Sequence, residues 1–304
     1  MKSVLESLPR GARVAVIRLR SLGDCVLMTP AVELLKRARP DLEVAVVVEE
    51  RFAAIFEDNP DVSRILPPRV TPLRQFSPYL CVNFHGGSRS LWLTLCSGAR
   101  RTAGFGHYRF AGLYDFRLPR AQEVLGEERK VHTAEHLALA VIHLGAPRGE
   151  IPRARVVATP PASESAYAVI HPMASAADKT WPAARFAQVA GHLRNEMGLE
   201  PVFIAGEGED LSFFRQYRTL ADAPLKEVKS MLRGATLFLG NDSGPAHVAA
   251  ALGLPVVVLF GTSDPAIWGP WRTAAEVLVA PGGAIERISV QEVVRALERL
   301  RVAA

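Results

Sequence analysis

A chain of 304 residues, 49% hydrophobic and 22% charged, has the size and balance of a globular protein of two ordinary domains. No apolar run reaches the roughly 20 residues of a membrane-spanning helix, and Lys2, Glu6, Arg10 and Arg13 interrupt the region where a signal-peptide core would lie. Three cysteines (Cys25, Cys81, Cys96) fit neither a disulfide framework nor a metal spacing, so a cytoplasmic setting is expected. The net charge of +5 belongs to the first half: residues 1–150 hold 21 Lys and Arg against 16 Asp and Glu, whereas residues 151–304 hold 15 of each. Such an excess is either a solvated face or an attraction for an anionic partner, whether phosphorylated lipid, membrane surface or nucleic acid.

Apolar strands and amphipathic helices alternate along the chain. A buried strand over residues 13–17 runs into the polar turn Arg18-Leu19-Arg20-Ser21-Leu22-Gly23-Asp24, and a helix follows over 25–38. Next come a strand (42–48), a short helix (52–56) and a strand (62–66); Pro67, Pro68, Pro72 and Pro78 mark 67–78 as loop. A strand at 79–84 ends in His85-Gly86-Gly87-Ser88, followed by a helix (90–96), a strand (102–105) and a helix (132–144). Residues 145–166, with Pro147, Pro152, Pro160, Pro161, Ser163 and Ser165, form the clearest break in composition. The expected organisation is therefore a first domain over 1–150, a linker over 151–166 and a second domain over 167–304.

The alternation restarts with a strand at 167–171, the loop Asp178-Lys179-Thr180-Trp181-Pro182 and a helix to about 197, with Pro182 suited to its first turn. A strand at 202–205 leads into Gly206-Glu207-Gly208-Glu209-Asp210 and a helix to about 220; another helix covers 225–232. The strand at 236–239 then enters Gly240-Asn241-Asp242-Ser243-Gly244-Pro245-Ala246-His247, with a helix over 248–252 and a strand at 255–260 behind it. A strand at 276–280 and a helix over 290–300 close the chain. This pattern predicts the α/β class, with two doubly wound parallel sheets and ligand sites at the carboxyl ends of their strands.

The polar motifs fall at those ends. Gly240 to His247 turns backbone N–H groups and a helix start toward the sheet's upper rim, a setting that favours phosphate. Asp24 is either an N-cap or a general base. The turn before it has one glycine, so the dinucleotide fingerprint G-x-G-x-x-G fails. Lys179 is either surface decoration or a point charge for a diphosphate. Glu209 is either a first-turn acid or an acceptor for ribose hydroxyls, with Glu207 as its rival. His132 and His136 have an i, i+4 spacing, but Ala134 and Glu135 break the H-E-x-x-H order, and no Asp-x-Asp occurs, so no metal site is expected.

Val16 to Asp24 with Thr29-Pro30, the His85–Ser90 turn, Lys179-Thr180-Trp181-Pro182, and Asn241 to Ala251 with Pro255 to Pro265 together resemble the signatures of glycosyltransferase family 9, the ADP-heptose:lipopolysaccharide heptosyltransferases. The resemblance implies a GT-B fold of two Rossmann-like domains facing each other across a cleft. It implies inverting, metal-independent transfer of heptose from an ADP-heptose-type nucleotide sugar to an anionic glycolipid acceptor of the lipopolysaccharide inner core. It further implies no cofactor, no nucleic acid, and contact with the inner face of the cytoplasmic membrane. Carried over by residue, Asp24 is the catalytic base. Lys179, Glu209, Asp242, Ser243, Gly244 and His247 hold the donor, and Arg18, Arg20 and His85 meet the acceptor. Arg20 and Tyr79 depart from the family's usual residues on the acceptor side. Open alternatives are a nucleotide-sugar epimerase on the same architecture and a family member with another donor or acceptor.

Overall fold

Short runs of Val, Ile and Leu between polar turns bury both faces only in a parallel sheet covered by helices, and that requirement sets the architecture. The computed structural model describes residues 3–162 and 165–303 and divides the chain into two compact units, Met1–Val157 and Ala158–Ala304. Lys2 and Ser163, named from the sequence, lie outside the described residues.

The first unit runs α1 (Val4–Ser7), β1 (Arg13–Ile17), α2 (Leu22–Ala38), β2 (Glu43–Val47), β3 (Arg64–Leu66), α3 (Val70–Phe76), β4 (Leu80–Asn83), α4 (Ser88–Cys96), β5 (Arg101–Phe105), β6 (Phe116–Leu118), α5 (Ala121–Leu125) and α6 (Thr133–Leu144). Its six strands are parallel in the order β3-β2-β1-β4-β5-β6, with Ile17 beside Val47 on one side and Asn83 on the other.

The second unit runs β7 (Tyr167–His171), α7 (Ala183–Asn195), β8 (Glu200–Ile204), β9 (Arg218–Leu220), α8 (Leu225–Gly234), β10 (Leu237–Asn241), α9 (Gly244–Ala251), β11 (Val256–Phe260), α10 (Pro265–Trp268), β12 (Ala275–Val279) and α11 (Val290–Ala303). Its parallel order, β12-β11-β10-β7-β8-β9, repeats the first unit's order when read from the other edge. Each unit is thus a Rossmann-like doubly wound sheet. Its chain reverses direction across the sheet between its first and fourth strands, where such folds open a crevice for ligands.

The cores lie between sheet and helices. In the first unit Ala15, Ile17, Ala45 and Val47 pack against Leu73 and Phe76 of α3. In the second, Trp181, Phe186, Phe203, Phe214 and Leu239 form one cluster with Val293 and Leu297 of α11. Trp181 is fully buried, stands edge-on to Phe186 at 5.0 Å, and donates its Nε1–H to the Ile288 carbonyl at 2.9 Å.

The structure corrects the sequence reading in several places. The stretch expected as loop at 67–78 carries α3: Pro72 sits in its first turn, where no backbone N–H is needed, and Leu73 and Phe76 are buried one turn apart. The helix expected up to residue 220 is a single 3-10 turn (Ser212–Phe214) followed by strand β9, because Phe214 is drawn down to stack on Phe203 at 4.0 Å. β6, α5 and α10 were not anticipated. Helices α2 and α9 begin earlier than expected, at Leu22 and Gly244.

Phe214→Ala should lower the stability of the second unit by about 3–5 kcal/mol, the usual cost of emptying a buried aromatic site. Its neighbour Phe213 is half exposed, so Phe213→Ala should change stability by less than about 0.5 kcal/mol. Urea unfolding midpoints of the two variants check this.

Candidate functional site

The sequence-selected residues gather where each sheet reverses direction. In the first unit the chain leaves β1 through Arg18 and re-enters α2 through Ser21 and Asp24. The guanidinium of Arg18 donates to Asp24 Oδ1 and to the Phe84 carbonyl. Asp24 Oδ2 accepts the N–H and the hydroxyl of Ser21, each at 3.1 Å. Ser21 therefore holds the N-cap position, and Asp24 reaches back to it from the first turn of α2. This replaces the N-cap option for Asp24 with a reciprocal one, and leaves the carboxylate partly exposed above the sheet.

His85 stands above the neighbouring strand β4, where burial first, and then the Arg18 charge, push its pKa below the ordinary value. Arg18, Asp24 and Arg20 all lie close enough to act on its charge. The residue that sets this turn is Asn83, fully buried at the end of β4. Its Oδ1 accepts the N–H groups of His85 (3.0 Å) and Gly86 (3.2 Å), and its Nδ2 donates to Ser90 Oγ (3.2 Å) and Tyr114 Oη (2.9 Å). Gly86 has a φ of +72°, and a Cβ there would stand 2.9 Å from the Tyr108 ring, so only glycine fits. Beside it, His136 stacks on Phe105 at 4.4 Å, and burial, with His107, Arg18 and Arg120, pushes its pKa down to about 4.

In the second unit β10 ends at Asn241, also fully buried. Its Oδ1 accepts the Trp181 N–H at 3.1 Å and its Nδ2 donates to the Pro172 carbonyl at 2.9 Å. These bonds clamp both ends of the loop after β7 onto β10 and carry Lys179 with it. Lys179 Nζ lies 3.6 Å from Asp242 Oδ2, which also accepts the Ser263 hydroxyl at 2.5 Å.

Ser243 occupies the N-cap of α9 but makes no side-chain capping bond; its Oγ lies 3.0 Å from His171 Nδ1. His171 Nε2 faces Glu209 Oε2 at 3.5 Å, and that oxygen also accepts the Gly206 N–H at 2.7 Å. The bond with His171, helped by the Gly206 amide and opposed by burial, holds the Glu209 carboxyl below its ordinary value. Glu207 is exposed. His247 is buried on α9 below the turn, and Gly240 has no room for a Cβ because the His171 carbonyl would lie 2.8 Å away.

Lys179, Asp242, Ser243, Gly244 and Glu209 are thus brought to one rim, and Arg18, Asp24 and His85 to another. Sequence reasoning missed His171, Asn241 and Asn83. Each is a single polar residue closing an apolar strand run, and that placement is the signal that could have found them. The histidines considered for a metal diverge: His132 Nδ1 accepts the Ala134 N–H at 3.1 Å, Glu135 pairs with Arg129 at 2.5 Å, and His136 stacks on Phe105. Among the described residues no three metal-ligating side chains gather, and no helix is long and apolar enough to cross a membrane.

Residues 81–294 match the model of glycosyltransferase family 9 (heptosyltransferase). The chain is 24% identical over 294 residues to lipopolysaccharide heptosyltransferase 3 of Escherichia coli, covering 83% of this chain and 84% of that one. It superimposes on the crystal structure of a family 9 glycosyltransferase from Veillonella parvula with a TM-score of 0.84 at 22% identity, covering 96% and 98% of the two chains. For E. coli heptosyltransferase WaaC with ADP-2-deoxy-2-fluoro heptose the TM-score is 0.79 at 21% identity, over 94% and 99%. The last two likenesses establish the GT-B fold.

Asn241→Ala should cost about 1–3 kcal/mol, because it strands the buried Trp181 N–H and Pro172 carbonyl; chemical denaturation reads the loss. The depressed pKa of His136 gives stability that is complete above the ordinary imidazole value of 6.5 and is lost as pH falls toward about 4. His136→Phe keeps a ring against Phe105, so its unfolding midpoint should fall less than the wild type's between pH 7 and pH 4.

Proposed function

The chain belongs to glycosyltransferase family 9, and from that premise we propose that it moves heptose from an ADP-heptose-type donor to an anionic lipopolysaccharide inner-core acceptor, with inversion and without a metal. The names of its relatives support the sugar and the acceptor class. The observation that carries the donor half is Lys179, clamped through Asn241 beside Asp242 at the N-terminus of α9. A helix start and an ammonium at one rim suit a diphosphate, whose departure they would stabilise as charge develops on its bridging oxygen.

In this reading residues 167–304 are the donor domain and 1–150 the acceptor domain, joined by 151–166. Ser243 and Gly244 hold phosphate with Lys179. Asp242 orients the heptose, and His247 supports the turn from beneath. Glu209 meets the ribose in preference to Glu207, because its Oε2 is tied to Gly206 and His171 while Oε1 remains for hydroxyl donors. Asp24, oriented by Arg18 and Ser21, takes the proton of the acceptor hydroxyl. The oxygen so freed bonds to the anomeric carbon as the bond from that carbon to the diphosphate breaks, and ADP leaves with the electron pair. Arg20 and His85 meet the acceptor's anionic groups with Arg18, and the arginine-rich first half faces the inner surface of the cytoplasmic membrane.

Asp24→Asn should lower transfer by about 10²–10⁴-fold, the usual worth of a general base, and leave ADP affinity within about twofold. Turnover at the wild-type rate would reduce Asp24 to a helix-start residue. Lys179→Ala should weaken ADP binding by about tenfold, near 1.4 kcal/mol; an unchanged calorimetric affinity would remove Lys179 from the diphosphate site.

A further inference from the structure

We infer that His171 is a positioning residue of the donor site, coupling Glu209 to Ser243 and taking up a proton when a diphosphate binds. The inference rests on the reading of Glu209 and Ser243 as nucleotide-binding residues.

The geometry is a chain of three side chains drawn from three elements. His171 ends β7 and is 5% exposed. Its Nε2 faces Glu209 Oε2 at 3.5 Å, and its Nδ1 lies 3.0 Å from Ser243 Oγ. An ionised carboxylate only accepts hydrogen bonds, so the ring hydrogen of a neutral His171 sits on Nε2. Nδ1 is then a lone pair, and the Ser243 hydroxyl must donate into it.

That arrangement conflicts with an anion at the start of α9. With its hydrogen committed to His171, Ser243 presents only lone pairs to the rim, and phosphate oxygens also present only lone pairs. A second proton on His171 removes the conflict. Nδ1–H then donates to Ser243 Oγ, and the hydroxyl hydrogen is released to point at a phosphate oxygen. The resulting imidazolium lies between the Glu209 carboxylate and the bound diphosphate, charges of opposite sign to its own. The proton comes from solvent, and no covalent bond is made or broken apart from the N–H.

Glu209 faces the ring from the loop after β8 and Ser243 from the start of α9. On the same rim, Lys179 from the loop after β7 and Asp242 from the β10–α9 turn pair at 3.6 Å. The ring's residue is also pressed against β10, where Gly240 leaves no space for a side chain beside the His171 carbonyl.

The test is calorimetric titration of the full chain with ADP, in two buffers of different ionisation enthalpy and at several pH values between about 6 and 8, the range in which imidazoles exchange charge. ADP's own phosphate titrates alike with every variant, so differences between proteins isolate His171. The wild type should take up about half a proton or more beyond His171→Asn near neutral pH. Because the complex holds the extra proton, wild-type affinity should rise as pH falls, and its advantage over His171→Asn should widen by up to about tenfold per pH unit. Ser243→Ala keeps the ring and removes the hydroxyl, so it should lose the same excess uptake; it also serves if His171→Asn fails to fold. Equal proton uptake by the wild type and Ser243→Ala overturns the inference alone. A wild type that binds no ADP overturns the nucleotide-site reading, and this inference with it.

Discussion

A buried carboxamide closes the fourth strand of each unit, and the geometry of both rims depends on it. Where a strand ends, the turn that follows loses its ladder partners, and its N–H and C=O groups must find others or stay costly. Asn83 answers for the turn above β4 and Asn241 for the loop above β7, each donating and accepting from a fully buried position. An ionised aspartate could only accept, and leucine could do neither. The requirement is for asparagine itself, at the point where each sheet reverses direction and a ligand crevice opens.

The two rims differ in how tightly their charges are held. Arg18 and Asp24 are largely buried, and each has further partners: Arg18 the Phe84 carbonyl, Asp24 the Ser21 N–H and hydroxyl. That is a fixed carboxylate, suited to taking one proton from a defined direction. Lys179 and Asp242 stand farther apart, with the lysine more exposed. In the proposed reading, that looser spacing lets the ammonium turn toward an incoming diphosphate.

The strands and the doubly wound class were legible because fully buried parallel strands must be written as apolar runs. Helix α3 was not, since Pro72 reads as a breaker unless it is known to fall in the first turn. The 3-10 turn at Ser212–Phe214 replaced an expected helix because the stacking of Phe214 on Phe203 outweighs local helical preference, and periodicity carries no trace of that long-range contact. Asp24, Lys179 and Ser243 stood out as reactive types in polar turns. Asn83 and His171 did not, because each reads as one more residue of its strand, at 79–84 and 167–171, and Asn241 reads as part of the turn without a role of its own. The proposed preference for Glu209 over Glu207 rests on the His171 contact, which joins the end of β7 to the loop after β8.

Transfer to an acceptor by a single displacement is the central step of the proposed reaction. The most direct measurement follows ADP release and the anomeric configuration of the sugar by NMR, with ADP-heptose alone and with an added inner-core glycolipid. ADP release that requires the glycolipid, with heptose attached to it in inverted configuration, is the predicted result. An epimerised nucleotide sugar formed from the donor alone, or a product that retains configuration, would contradict it.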